Sequence, residues 1–80
     1  MSFANVTWKP KFAYLDKLHD QLWFDTIIDI YQDMGDIFIE FAHTCVRVPR
    51  GWHPPCDIIV GDVAKAYYVT SDRFVFELQD

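Results

Sequence analysis

Eighty residues leave room for one hydrophobic core, so residues 1–80 are expected to form a single domain. Apolar residues make up 51% of the chain and aromatics 18%, which excludes a disordered acidic tail. Twelve acidic against seven basic side chains give a formal charge of −5, which argues against direct binding to nucleic acid or to an anionic membrane and in favour of basic protein surfaces.

Residues 1–10 lack the basic and apolar regions of a secretory signal, and no stretch approaches the roughly 20 apolar residues of a membrane span. The expected compartment is the cytoplasm, where Cys45 and Cys56 stay reduced. Residues 2–8 read as an edge strand or a docked arm anchored by Phe3, Val6 and Trp8. From Pro10 the pattern turns helical, with Phe12, Leu15, Leu18 and Leu22 at three- and four-residue steps.

Residues 25–41 support competing shapes. As a helix they place Ile27, Ile30, Tyr31, Met34, Phe38 and Phe41 on one stripe and Asp25, Asp29, Asp33, Asp36 and Glu40 on the other, with Thr26 and Asp29 opening it in the manner of a capping box. Gly35 interrupts that helix, and the β-forming run that follows it alternates as a strand does. The reading adopted is a helix ending at Gly35 followed by a strand; one continuous helix, or a hairpin of residues 26–31 with 36–41 around Asp33, Met34 and Gly35, are the alternatives.

Residues 46–48 continue the strand, and three prolines and a glycine make residues 49–55 a loop. A short strand at 57–60, a turn at Gly61 and Asp62, and a hairpin of residues 66–69 with 74–78 complete the chain. The expected fold class is α+β: one or two N-terminal helices packed on a small antiparallel sheet of three to four strands.

Between Leu18 and Val46 the chain carries Asp20, Asp25, Asp29, Asp33, Asp36 and Glu40 and no lysine or arginine. Such a row is either a solvated face that maintains solubility or a charge array able to occupy a lysine- and arginine-lined groove built for nucleic acid. His43, Cys45, His53 and Cys56 match a Cys2His2 zinc site in ligand type, if His43 and Cys45 share a strand face and the His53–Cys56 loop folds back. Against zinc stands the ordinary role of a buried cysteine, a loop-end cysteine and partly exposed histidines.

Arg47, Arg50, Trp52 and His53 combine positive charge with an aromatic ring in a proline-stiffened loop, so Trp52 is either a contact residue or a cap folded back on the sheet. Glycines at 35, 51 and 61 form no phosphate-binding loop, and a Cys–His pair has no orienting third residue. The carboxylates Asp33 and Asp36 have no evident pocket for acid–base work. Catalysis is therefore not expected.

In size, acidity and aromatic content, and through Asp25, Asp29, Asp33, Asp36 and Glu40, the chain resembles the small inhibitors encoded by phages and mobile elements, anti-CRISPR proteins above all. The resemblance implies stoichiometric binding, as a monomer or homodimer and without a cofactor, to a basic nucleic-acid-binding complex such as a CRISPR effector. Those five acids, with Trp52 as a further contact, would cover a surface that guide or target uses. An immunity-like partner of a basic toxin shares the same physics. A zinc-stabilised interaction module using His43, Cys45, His53 and Cys56 is the alternative from another class.

Overall fold

The computed structural model of the protein describes residues 18–79. Among these there are five strands, β1 (Gln21–Asp33), β2 (Asp36–Phe41), β3 (Cys45–Arg47), β4 (Val63–Thr70) and β5 (Arg73–Leu78), all antiparallel in the order β3-β2-β1-β4-β5. The expected α+β class is thereby corrected: the described residues contain no helix, and so none long and apolar enough to cross a membrane. Phe12 and Leu15 of the expected first helix, and residues 2–8, lie outside the described residues. Leu18 and Leu22 of that helix lie in a bridge to Cys45 and in β1.

A single backbone irregularity explains why residues 25–35 read as a helix. Ile27 pairs with Phe41 and Asp29 with Glu40, which leaves Ile28 as an extra, bulged residue. The bulge shifts the alternation by one, so Ile27 and Ile30, three residues apart, both point into the core. Met34 and Gly35 form the two-residue hairpin loop, with φ of 52° and 85°. Left-handed backbone at both positions is the turn geometry that suits the twist of two antiparallel strands, and glycine adopts it without steric cost. The hairpin alternative is therefore the one formed.

β1 serves two half-sheets. Its C-terminal half pairs with β2, and its N-terminal half pairs with β4 through Gln21–Ala66, Asp25–Ala64 and Thr26–Val63. Between Gln21 and Asp25, β1 has two residues more than β4, so Leu22, Trp23 and Phe24 bow outward. The Gln21 Nε2 amide donates to the Trp23 carbonyl at 3.1 Å inside this bow. At the handover point Ile27 donates its N–H to the Asp62 carbonyl and accepts from the Gly61 N–H, each at 2.8 Å.

β3 and β4, which do not pair in the sheet, approach each other. The Tyr68 hydroxyl of β4 donates to the Arg47 carbonyl of β3 at 2.7 Å, and His19 N–H donates to the Cys45 carbonyl at 3.0 Å. Enclosed between the half-sheets is one core that includes Ile27, Ile30, Ile39, Phe41, Ala64 and Ala66. Trp52 covers its β5 end, edge-on to Phe74 at 5.0 Å and tilted on Phe76 at 5.6 Å. The strand expected at residues 57–60 is instead a turn: Ile58 is buried as an anchor, while Asp62 and Ile59 close the segment through reciprocal bonds of 3.0 and 3.1 Å.

Candidate functional site

Beyond the Ile28 bulge, strict alternation places Asp29, Tyr31 and Asp33 of β1 beside Glu40, Phe38 and Asp36 of β2 on the face turned away from the core. Tyr31 and Phe38 stack there, with centroids 5.5 Å apart and planes at 22°, and form a buried cluster with Cys45 and Leu18. Asp29 opposite Glu40 and Asp33 opposite Asp36 thus put half-exposed carboxylates at four corners of an apolar centre. The Arg50 Nε contacts Asp36 Oδ1 at 3.2 Å from a largely exposed side chain, so that ion pair is well screened by solvent.

Asp25, the fifth acid of the expected stripe, is elsewhere. Its carboxylate accepts from the Thr26 N–H at 2.8 Å, the His43 N–H at 3.1 Å and His43 Nδ1 at 2.9 Å, and it clamps the β2–β3 turn onto β1. Burial by its neighbours pushes the Asp25 pKa up, but the His43 ring, the two backbone donors and the His43 charge outweigh it and hold the group below its usual value. The clamp fixes the imidazole by Nδ1, and the ring is otherwise exposed. No local spacing in the sequence announces a pair 18 residues apart.

The four expected zinc donors do not converge. His43 sits in the turn before β3, held by Asp25, whereas the Cys45 sulfur turns to the Tyr31 hydroxyl at 3.3 Å. The shared strand face assumed for His43 and Cys45 therefore does not exist. His53 and Cys56 are exposed in the long loop, and among the described residues no group of His, Cys, Asp or Glu is placed to hold a metal ion. Trp52 lies half-buried against β5, which is the folded-back arrangement and leaves only part of its ring outward.

A cleft of about 280 Å³ opens where β3 approaches β4, lined by Leu18, His19, Asp20, Val46, Arg47 and Tyr68. Its volume falls just under the range of most small-molecule sites. Burial raises the pKa of Tyr68, and its hydroxyl is committed to the Arg47 carbonyl, so this group offers no base near neutrality.

Sequence reasoning missed a second surface. Leu22 and Phe24 are exposed on the outer face of the β1–β4–β5 half-sheet, where Lys65 Nζ lies 4.9 Å from the centre of the Phe24 ring and 3.3 Å from Glu77 Oε1. The signal was present in residues 63–69, where apolar side chains occupy both parities of a strand. No family model, no curated protein and no solved structure matches this chain.

Proposed function

We propose that the chain is a stoichiometric binding protein that presents the carboxylate corners of its β1–β2 face to a basic surface of a nucleic-acid-handling complex, acting as an inhibitor of the anti-CRISPR type inside the host cell. The observation that carries this reading is the register that sets Asp29 against Glu40 and Asp33 against Asp36. Directly opposite residues have Cβ atoms about 5 Å apart, and four residues of strand separate the two pairs by about 13 Å. Lysine or arginine side chains of a basic partner surface would meet four acidic residues gathered on one face of the β1–β2 hairpin.

Because the Debye length is about 8 Å at physiological salt, attraction of a basic partner to this face weakens as salt rises. Capture of partners from host lysate by wild-type protein and by the Asp33→Lys/Glu40→Lys variant, compared at rising salt, tests the reading. Thermal melts of both proteins check that each is folded. Recovery of a nucleic-acid-binding complex by wild type alone, lost as salt rises, is the expected result. Equal recovery by the folded variant would remove the acidic face from the mechanism.

A further inference from the structure

We infer that β5 is a self-complementary edge strand, which pairs antiparallel with β5 of a second copy about a two-fold axis at Val75 and so joins two sheets edge to edge. This surface is separate from the acidic face, and the inference does not depend on that reading. One bond fixes the direction of the backbone. Gln79 N–H donates to the Val63 carbonyl at 2.8 Å, so in the unbroken ladder from Ala64–Leu78 to Tyr68–Phe74 the β5 residues bonded to β4 are Glu77 and Val75. The N–H and C=O groups of Phe74, Phe76 and Leu78 therefore point away from β4, along the edge of the sheet. None of them has a hydrogen-bond partner among the described residues.

The opposite edge of the sheet differs. By the same alternation, counted from the Val48 N–H on the Ile37 carbonyl, Cys45 and Arg47 turn their backbone outward from β3, and their carbonyls accept from the His19 N–H at 3.0 Å and the Tyr68 hydroxyl at 2.7 Å. β5 has no such cover and none of the usual guards of an edge. Residues 73–78 contain no proline, the irregularity near the turn lies in β4 between Tyr68 and Thr70, and the inward side chains Phe74, Phe76 and Leu78 are all apolar. A row of alternating backbone donors and acceptors is matched by one kind of ligand, another extended chain.

The side chains identify that chain as a second β5. Arg73 and Glu77, both exposed, stand at equal distances on either side of Val75 and on the same face of an uninterrupted strand. With Val75 on the axis, Arg73 of each copy lies opposite Glu77 of the other, and Phe74 opposite Phe76. The Phe74–Phe76 pairs are the ones whose backbone faces the neighbour, so each exchanges both N–H···O=C bonds, and the two-fold repeats the exchange. Their rings add cross-strand aromatic pairs, and each Glu77 comes to lie between Lys65 of its own β4, at 3.3 Å, and Arg73 of the second copy. Moving the axis to Phe76 would set Glu77 opposite Val75 and Arg73 opposite Gln79, which loses both ion pairs, so charge selects the register. The whole chain carries −5 and repels its own copies elsewhere, whereas residues 73–78 hold one charge of each sign.

Two paired strands make a contact smaller than a standard interface, so dissociation is expected on the order of 100 µM. Sedimentation equilibrium of the full chain from about 5 µM to about 1 mM at physiological salt brackets that constant. The expected result is an apparent mass rising from the 9.5 kDa monomer toward twice that value. N-methylation of the Phe76 amide, introduced by synthesis of residues 56–80 and ligation at Cys56, removes an edge donor and no bond within the monomer; it should abolish the rise and leave the melting curve of dilute protein unchanged. Arg73→Glu and Glu77→Arg should each weaken self-association about tenfold, and their equimolar mixture should regain it, because each variant then meets its complement. Glu77→Arg also gives up the Lys65 pair, so thermal melts check its fold, and the N-methylated protein tests the edge independently of it. A mass of 9.5 kDa at every concentration overturns the self-pair and leaves the edge to a strand of another protein. Association that survives N-methylation runs through another surface and overturns it equally, and a mixture of folded variants that associates no better than either alone overturns the register about Val75.

Discussion

Replacing Asp25 by alanine tests how the β2–β3 turn is held. The carboxylate satisfies three donors, two of them backbone N–H groups, and its side chain is 9% exposed. Charge-assisted bonds contribute about 1.5–3 kcal/mol each when well shielded, and water replaces part of them at this surface turn, so we expect a loss of about 2 kcal/mol. In a domain of this size that is a fall in Tm of about 8–16 °C. The His43→Ala variant retains both backbone bonds and removes only an exposed ring, so it should cost under about 1 kcal/mol. The sign with pH follows from the depressed pKa. Stabilisation by Asp25 is complete above the unfolded value of 3.8 and is lost as pH falls through the lower folded value, so the gap between wild type and Asp25→Ala should close below that point. Urea melts of the three proteins between neutral and acid pH measure this. A His43→Ala loss as large as that of Asp25→Ala, or a gap that widens in acid, would refute the clamp.

Met34→Asn should stabilise the protein by about 0.5–1 kcal/mol, because asparagine tolerates the left-handed φ of 52° that methionine adopts at this exposed turn position. Gly35→Ala should destabilise by about 1 kcal/mol for the converse reason, since its φ is 85°; thermal melts read both. Ile30→Ala empties a fully buried core position and should cost about 3 kcal/mol by chemical denaturation. A thiol reagent should label the exposed Cys56 rapidly in native protein and reach the buried Cys45 only after denaturation; simultaneous labelling would contradict the placement of Cys45 beneath Tyr31.

The turns were the most legible part of the chain. Gly61 with Asp62, the proline-rich loop and the residues between β4 and β5 are read from chemistry that acts over a few residues, and the structure has turns or loops at each. Residues 25–35 were misread because a bulge at Ile28 converts a two-residue period into a three-residue step, and one-dimensional periodicity cannot tell that from a helix. The grouping of Asp29, Asp33, Asp36 and Glu40 survives the change from helix to hairpin only because the turn at Met34 and Gly35 folds them onto the same side. Asp25 falls on the near side of the bulge and leaves the group. The outer face of β4 and β5 went unnoticed because both parities are apolar, and which one is covered depends on where the core lies.

The handover of β1 between its two partners sets the order in which the chain assembles and opens. The β1–β2 and β4–β5 hairpins close short turns, whereas the β1–β4 seam joins Gln21 to Ala66 after most of the chain has been threaded. Loop-closure entropy makes such a seam late to form, and its few registered pairs with an interrupted ladder make it early to part. Amide exchange should accordingly divide the molecule into two cooperative units, residues 21–47 and 63–78, with the amides of Asp25 and Ile27 at the seam exposed by a smaller opening than those within either hairpin. Residues 49–57 then serve as the tether that keeps the two units in register while the joint between them breathes.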